Sequence, residues 1–471
     1  MSTRAPADRR ADRQRGSTRR SWTNVVLPVA LAACAAALSA LVVRSTPFPL
    51  AVAAVLGAAA IITVRANPVL AIAVLAVIRA TLEGFGAQTV TRVASVQLSP
   101  TDVVTLAFTL GAVWWLLSRM RRGIFDWQAP TLFPALIFFA IAAASLTYSS
   151  DWALGARDLL KFFGGYCAFL VIINERPDAR KLRLILALIV LSAIAPLLIG
   201  WYQFTNNIGK PGLFHGGLRI QSTFDHPNTY GFYLVSVLTA CWGLSRTLSD
   251  RWRRVVEAVA IACFIAIAMT LSRNTWAATA VLVLVVGHKY RRVLVAAALI
   301  AVGVVVAMPR TIGAIAGIFN PRTGTNRGGS ALGRLDLWAR DLSVWQQSPI
   351  FGKGFGSTKG NTGALAHNDY MRSLVEGGII GLAAFVVFLG SLLRASWRAA
   401  AGRGDLPLAC LGLTIGYLLV SAGSNNMGKD AFQFYFWTIV GVSYVWAQIV
   451  PPSEDERERL PRSEDLVSSP S

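Results

Sequence analysis

Charged residues are scarce in this 471-residue sequence: only 15% of its positions are Asp, Glu, Lys or Arg, whereas 54% are hydrophobic. A soluble globular chain carries about 25% charged residues. The shortage of charge, together with a mean hydropathy of +0.52, excludes an ordinary soluble enzyme and a disordered chain. The composition is typical of a helical membrane protein.

Cysteine and histidine are also rare, with five and four residues respectively. The cysteines are unclustered and lie in apolar stretches, so neither a disulfide framework nor a metal site is expected. His215 and His226 lack further ligands in suitable spacing, which argues against a zinc site. The sequence therefore predicts no metal and no cofactor. The cysteines are Cys34, Cys167, Cys241, Cys263 and Cys410.

Acidic residues number only 24 against 45 basic ones, which gives a net charge of +21. In a soluble protein such an excess would indicate nucleic-acid binding. In a membrane protein the basic residues must first be assigned to a side, because short cytoplasmic loops hold most of them. We therefore expect no nucleic-acid partner.

Apolar windows long enough to cross a bilayer recur along the chain, since about 20 residues span its hydrocarbon core. They predict fourteen transmembrane helices, the first an uncleaved helix rather than a signal peptide. The close pairs 48–64/67–82 and 254–271/274–288 also fit re-entrant or fused helices. The fourteen windows are 24–43, 48–64, 67–82, 101–118, 130–147, 157–174, 181–202, 227–245, 254–271, 274–288, 291–308, 377–393, 406–423 and 431–450.

Basic clusters fall on alternate connections between these windows, which places both termini in the cytoplasm by the positive-inside rule. The predicted fold is an all-α polytopic bundle of about 12 to 14 spans, with a large extracytoplasmic loop before the last three helices. The predicted segments are a cationic cytoplasmic tail (1–21), a transmembrane region (22–308), the loop with an amphipathic helix (309–376), C-terminal transmembrane helices (377–450) and a second cytoplasmic tail (451–471).

Two arginines lie in the predicted external connections. Arg219 precedes a segment whose Asn228 suits the start of a helix, and a guanidinium fork suits the bidentate binding of phosphate. Arg273 separates two apolar helices. It fits either an interfacial anchor or a ligand contact at the outer surface.

A third external segment contains His367 and leads into an apolar span. Residues 367–376 predict an amphipathic helix, in which Tyr370, Leu374 and the following Gly377 share one face and His367 belongs to the same stripe. An isolated histidine is often structural, but its side chain exchanges a proton near neutral pH. Glu376 can orient His367 only through a tertiary contact.

The large loop is rich in basic residues: seven lie within 309–366, opposed by two aspartates. It fits either a harmless basic loop or a surface that meets an anionic ligand. Arg157 and Lys161 share a face of another helix at its outer start and suit interfacial anchoring or phosphate binding. The run from Gly352 to Lys359 does not follow the phosphate-loop pattern and predicts a glycine-rich turn.

The spacing from His367-Asn368 through nine residues to Gly378-x-x-Gly381 resembles the signature of bacterial O-antigen ligases and the related polysaccharide polymerases. Leu382 stands where that signature often has a second glycine, and fourteen helices exceed the family's usual twelve. The resemblance therefore leaves ligase and polymerase open.

Other segments resemble the same family, in the same order along residues 200–390. Arg219 with the Phe-x-His-Pro-Asn228 segment, and Ser272-Arg273, look like its two arginine motifs. The stretch that begins at Gly333-Arg334 and ends at Gly356 resembles its large periplasmic loop.

This resemblance implies a metal-independent, inverting glycosyl transfer on a glycosyltransferase C-like fold in the bacterial cytoplasmic membrane. The donor would be a glycan on undecaprenyl pyrophosphate, and the acceptor a glycan, a lipid or a protein. Catalysis would rest on His367, Arg219 and Arg273. Substrate binding would involve Arg334, Asn228, Asn368, Arg157 and Lys161.

Two other functions remain open from the residues alone. A non-catalytic polysaccharide or lipid exporter, or flippase, would need polar groups distributed through its spans, whereas here they concentrate at one surface. A cell-wall glycan polymerase of the shape and division class would also use a lipid pyrophosphate, but its expected motifs differ from those above.

Overall fold

The protein is an all-α helical membrane protein. A computed structural model describes residues 66–83, 91–93, 96–211, 218–307, 331–401 and 404–449. The predicted tails, the windows 24–43 and 48–64, and the first part of the large loop lie outside the described residues. The helices are α1 Pro68–Leu82, α2 Pro100–Arg121, α3 Leu132–Ser145, α4 Trp152–Glu175, α5 Ala179–Ser192, α6 Ile194–Thr205, α7 Pro227–Ser245, α8 Asp250–Met269, α9 Arg273–Lys289, α10 Arg291–Ala307, α11 Ala331–Trp345, α12 Thr358–Thr362, α13 Asp369–Ala400, α14 Asp405–Ser421 and α15 Asp430–Ile449.

Each predicted window that falls in the described part contains helix. One window differs, because 181–202 divides at Ala193 into α5 and α6. Of the described helices, three are long and apolar enough to cross a membrane by length and composition: Pro100–Arg121, the α5–α6 unit Ala179–Thr205, and Asp369–Ala400. The close pair 254–271/274–288 forms two separate helices, α8 and α9.

Two short antiparallel hairpins connect helices. Strand β1 (Thr91–Val93) pairs with β2 (Val96–Leu98), and β3 (Lys210–Pro211) pairs with β4 (Leu218–Arg219). The second hairpin sets Arg219 opposite Lys210 and leads into α7. It fixes the backbone of Arg219 beside the N-terminal end of that helix.

Side-chain caps define where the important helices begin. Ser99 and Asp102 form a capping box at α2, and the imidazole of His226 accepts a hydrogen bond from the Asn228 amide at α7. Ser272 caps α9 and Asn368 caps α13. Because a cap satisfies amide groups that have no partner within the helix, these polar residues fix where the four helices begin.

The core is an aromatic cluster between α3, α4, α13 and α15. Phe138, Phe162, Tyr166, Phe388 and Trp437 are all buried, with ring centroids of Phe388 and Trp437 5.5 Å apart. Aromatic pairs of this kind contribute about 0.5–1.5 kcal/mol beyond the burial of their area. They hold α4 against α15, whose N-terminal ends carry part of the candidate site.

Helix α13 is kinked at Gly378, whose backbone is non-helical (φ 64°, ψ −164°). The segment before α12 fills the break: the Lys353 amide donates to the Val375 carbonyl at 2.9 Å, and the Ile379 amide donates to the Pro349 carbonyl at 2.9 Å. The kink thus separates a short helix next to His367 from the long apolar helix. Gly352, Gly354 and Gly356 all have positive φ, so the glycine-rich turn is confirmed.

The bundle has two chemically distinct ends. At the first end, six of the described helices begin and three end. Those that begin there are α2, α4, α7, α9, α13 and α15, and those that end there are α1, α8 and α14. The basic clusters at the other end form ion pairs there, such as Arg176 with Asp126 at 2.8 Å and Arg119 with Glu175 at 3.6 Å. Polar connections at the first end enclose the candidate site.

Candidate functional site

A cavity of about 350 Å³ lies among the helix termini at the first end of the bundle. Its walls come from the first turns of α4, the connection before α7 with the first turns of that helix, the end of the large loop, and the α14–α15 connection. Of the residues selected from the sequence, four line it: His367, Asn228, Arg157 and Lys161. Asn228 also contacts Arg219, which lies just behind this wall.

Asn228 connects the two arginine motifs. Its Oδ1 accepts hydrogen bonds from the Arg219 guanidinium at 2.9 Å and from the Ser272 hydroxyl at 2.9 Å. Arg219 Nε also donates to the Thr270 carbonyl at 2.9 Å. The guanidinium of Arg219 is therefore held rigidly, and Ser272 places the neighbouring Arg273 at the start of α9.

Several arginine side chains place positive charge around the site. Burial and the nearby charge of Arg273 lower the pKa of Arg219 to about 10. Burial and the same Arg273 also lower the pKa of Arg334. Arg273 therefore repels both Arg219 and Arg334 at this end, and the excess of positive charge favours the binding of an anion.

His367 lies at the end of the large loop in a left-handed backbone conformation (φ 51°). The preceding residue is fixed, because the Trp338 indole donates to the Ala366 carbonyl at 2.9 Å. Partial burial in the cavity wall, with the charges of Arg334 and Lys429, lowers the pKa of His367. The ring is accordingly neutral near pH 7, which suits a group that accepts a proton.

Asn425 lies beside the imidazole. Its Nδ2 is 3.5 Å from Nδ1 of His367, and its buried Oδ1 has no hydrogen-bond partner in the described part of the structure. An unpaired buried amide oxygen costs about 1–3 kcal/mol. Exchange of the two amide atoms by rotation brings Oδ1 next to the imidazole.

Other selected residues have partners within the protein. Asp102 accepts from Arg157 at 2.8 Å, and its other oxygen lies 3.1 Å from Lys161 Nζ. Asn368 uses its side-chain oxygen to cap α13, accepting from the amides of Tyr370 and Met371. Arg157, Lys161 and Asn368 therefore have structural roles at the site in addition to the binding roles expected for them.

Glu376 does not face His367. It binds Arg372 at 3.0 Å, and Arg372 in turn binds Asp158 at 2.9 Å. The Thr358 hydroxyl donates to the second oxygen of Glu376 at 2.9 Å. This buried network joins α13, α4 and α12 beneath the cavity, and it positions the helix that follows His367.

Sequence reasoning missed Lys429 and Asn425, both in the polar connection between α14 and α15. Lys429 lines the cavity and donates to Asp225 at 2.6 Å. Asp225 precedes α7 and has its pKa lowered: burial opposes the shift, but the Lys429 charge and hydrogen bond outweigh it. The available signal was the run Ser424 to Asp430, a polar connection on the same predicted side as the motifs.

Within the described residues, no group of His, Cys, Asp or Glu side chains is arranged to hold a metal ion. His226 is an N-cap whose pKa falls to about 3, through burial and the charges of Lys429, Arg219 and Lys210. It remains a neutral hydrogen-bond acceptor at ordinary pH. The cationic groups of the site instead suit an anionic ligand such as a phosphate ester.

In a comparison with protein families, the model of the O-antigen ligase family matches residues 258–386. The match confirms the resemblance inferred from the motifs. It includes Arg273, Arg334, His367 and the Gly378-x-x-Gly381 segment, whereas Arg219, Asn425 and Lys429 lie outside it. A search of curated proteins finds no match.

Proposed function

We propose, from the match of the O-antigen ligase family model to residues 258–386, that the chain transfers a glycan from undecaprenyl pyrophosphate to an acceptor hydroxyl at the outer face of a bacterial cytoplasmic membrane. The family supports a glycosyltransferase-like enzyme that ligates or polymerises glycans in a membrane. The proposal of this donor and this reaction rests on one observation. Arg219, Arg273 and Arg334 lie at the same end of the bundle as His367.

The arginines bind the donor pyrophosphate. Arg219 is already oriented by Asn228 and Thr270, so its fork loses little freedom when it binds. Lys429 adds a fourth cation from the α14–α15 connection. As the glycosidic bond to the pyrophosphate breaks, negative charge grows on the leaving oxygen, and fixed cations stabilise it.

His367 accepts the proton of the acceptor hydroxyl. If Asn425 Oδ1 accepts a hydrogen bond from Nδ1–H, the tautomer with a free Nε2 is the stable one. The hydroxyl oxygen then bonds to the anomeric carbon from the face opposite the pyrophosphate. Its proton moves to Nε2, and undecaprenyl pyrophosphate leaves, which gives inversion without a metal.

The topology completes the proposal. Both termini and the basic clusters at the second end of the bundle are cytoplasmic by the positive-inside rule, which places the cavity outside. The segments 1–21 and 451–471 are then cytoplasmic tails, and 309–376 is the extracytoplasmic loop. No nucleotide is available there, so the lipid pyrophosphate supplies the driving force.

Reconstitution with lipid-linked repeat units tests the proposal. A ladder of products identifies a polymerase, and a single transfer to an added acceptor identifies a ligase. His367→Ala removes the base and lowers turnover by about 10²–10⁴-fold, while Arg219→Ala and Arg273→Ala raise the KM for the donor and lower kcat.

Arg398→Ala, an exposed arginine at the second end of the bundle, is the matched control and retains activity. Wild-type turnover in all three site variants would contradict the assignment of the site. A folded wild-type protein that binds the lipid but yields no product would instead favour the exporter.

A further inference from the structure

A second cavity, of about 980 Å³, lies at the opposite end of the bundle from the candidate site. The C-terminal parts of α7 and α9, most of α8 and the first turns of α10 form its walls. These walls are largely apolar, with Phe264, Leu282 and Ile300 among the lining side chains. Its size reaches the upper part of the range found for ligand sites, about 300–1,000 Å³.

The rim of this cavity is strongly basic. Arg246 stacks on the rings of Trp242 and Tyr290, with its guanidinium carbon 4.5 Å and 4.6 Å from their centroids. Arg253 binds Glu257 at 3.5 Å, and Glu257 is the only acidic residue among the described residues that line the cavity. The basic lining residues are Arg246, Arg253, His288, Lys289, Arg291 and Arg292.

Arg291 and Arg292 differ from the other arginines of this rim. Both begin α10 with exposed side chains, and neither forms an ion pair with another residue in the part of the chain that the structure describes. Arg246, in contrast, lies 3.6 Å from Asp405. Two unpaired guanidinium groups at the mouth of an apolar cavity leave an uncompensated positive charge at a membrane surface.

We propose that this cavity binds an anionic glycerophospholipid. Its acyl chains lie along the apolar walls, and Arg291 and Arg292 bind its phosphate. Trp242 and Tyr290 lie at the level of the headgroup, where amphipathic rings concentrate in membrane proteins. Basic pockets between transmembrane helices bind anionic lipid headgroups in this way, and a zwitterionic lipid would leave the rim charge uncompensated.

Native mass spectrometry of the purified full-length protein tests the proposal, with phosphatidylglycerol and phosphatidylcholine of identical acyl chains. We expect preferential retention of phosphatidylglycerol. The double variant Arg291→Gln/Arg292→Gln lowers this retention by roughly 25-fold, since each arginine near an anionic headgroup contributes about fivefold. The matched pair Arg394→Gln/Arg398→Gln removes two exposed charges that do not line the cavity and leaves retention unchanged.

A second variant tests the apolar walls. Ala297→Trp fills the cavity beside α10 and lowers the retention of both lipids. Equal retention of the two lipids by the wild-type protein, or equal losses in the two arginine pairs, would overturn the proposal. The proposal would also be overturned if glycerol phosphate bound as tightly as the lipid and Ala297→Trp had no effect on binding. That result would identify a site for a free phosphate. None of these readouts depends on glycosyl transfer.

Discussion

At the scale of the residue, the organising group of the candidate site is the amide of Asn228. Its oxygen binds both Arg219 and Ser272, so one side chain aligns two motifs that are far apart in the chain. Hydrogen bonds to a charged group contribute about 1.5–3 kcal/mol. The guanidinium of Arg219 is thereby preorganised before any ligand arrives.

The pH dependence of activity belongs to this scale, because it rests on His367. Its pKa lies below the ordinary value of 6.5, so the base form persists below pH 6.5 and is lost as the pH falls through the lowered pKa. Arg334→Gln removes a positive neighbour, which makes protonation easier and raises that pKa. The acidic limb of the pH profile of kcat/KM, which reports the free enzyme, then moves to higher pH.

The control for this prediction is Arg340→Gln, on the same helix and exposed. In this variant we expect the acidic limb of the pH profile to lie at the same pH as in the wild-type protein. An acidic limb that stays fixed in Arg334→Gln, or moves to lower pH, would show that His367 is not the titrating base.

At the scale of the element, the kink of α13 explains the glycine signature that follows His367. Gly378 has positive φ, and an added Cβ would lie 2.1 Å from the Ile350 carbonyl oxygen. The kink frees the carbonyls of Val375 and Glu376, and the turn before α12 donates to them. The glycine is therefore required by a backbone contact between the loop and the helix.

Replacement of this glycine provides a prediction at the same scale. Gly378→Ala forces a Cβ into the Ile350 backbone and a strained φ, which costs at least about 1–3 kcal/mol. The purified protein therefore melts at a lower temperature than wild type in the same detergent. Gly377→Ala is the matched control, since no side chain and no atom from another segment of the described structure lies within 4 Å of its added Cβ, and its melting temperature stays close to wild type. Equal melting temperatures in the two variants would refute the role of the kink.

At the scale of the whole molecule, the two ends of the bundle differ in the kind of anionic ligand that their cavities are suited to bind. The first end gathers cations around a small polar cavity, and the second carries a basic rim around a larger apolar one. The buried network of Arg372, Asp158, Glu376 and Thr358 ties α13, α4 and α12 together below the first cavity. Removal of one member of such a network costs about 3–5 kcal/mol, so it holds the elements around the site in place.

Cysteine labelling of intact cells tests the orientation of the molecule. Cys167, Cys241, Cys263 and Cys410 are buried, and Cys34→Ser removes the remaining thiol. We expect a membrane-impermeant maleimide to label Asn206→Cys and Lys359→Cys at the first end. Arg251→Cys and Arg398→Cys, at the second end, should react only after the membrane is opened. The reverse pattern would place the cavity in the cytoplasm and contradict the proposed reaction.

The sequence by itself determined the membrane class and the apolar helices of the described part, and it selected His367, Arg219 and Arg273 as candidate site residues, whereas helices α11 and α12 within the large loop were not predicted. Hydropathy and helix caps are local properties, so they can be read from neighbouring residues. Only the tertiary structure decided that Asn228 joins the arginine motifs, that Arg157 and Lys161 bind Asp102, and that Asn425 and Lys429 face the site. These partners lie on different helices, and their contacts depend on how the helices pack, which no local pattern encodes.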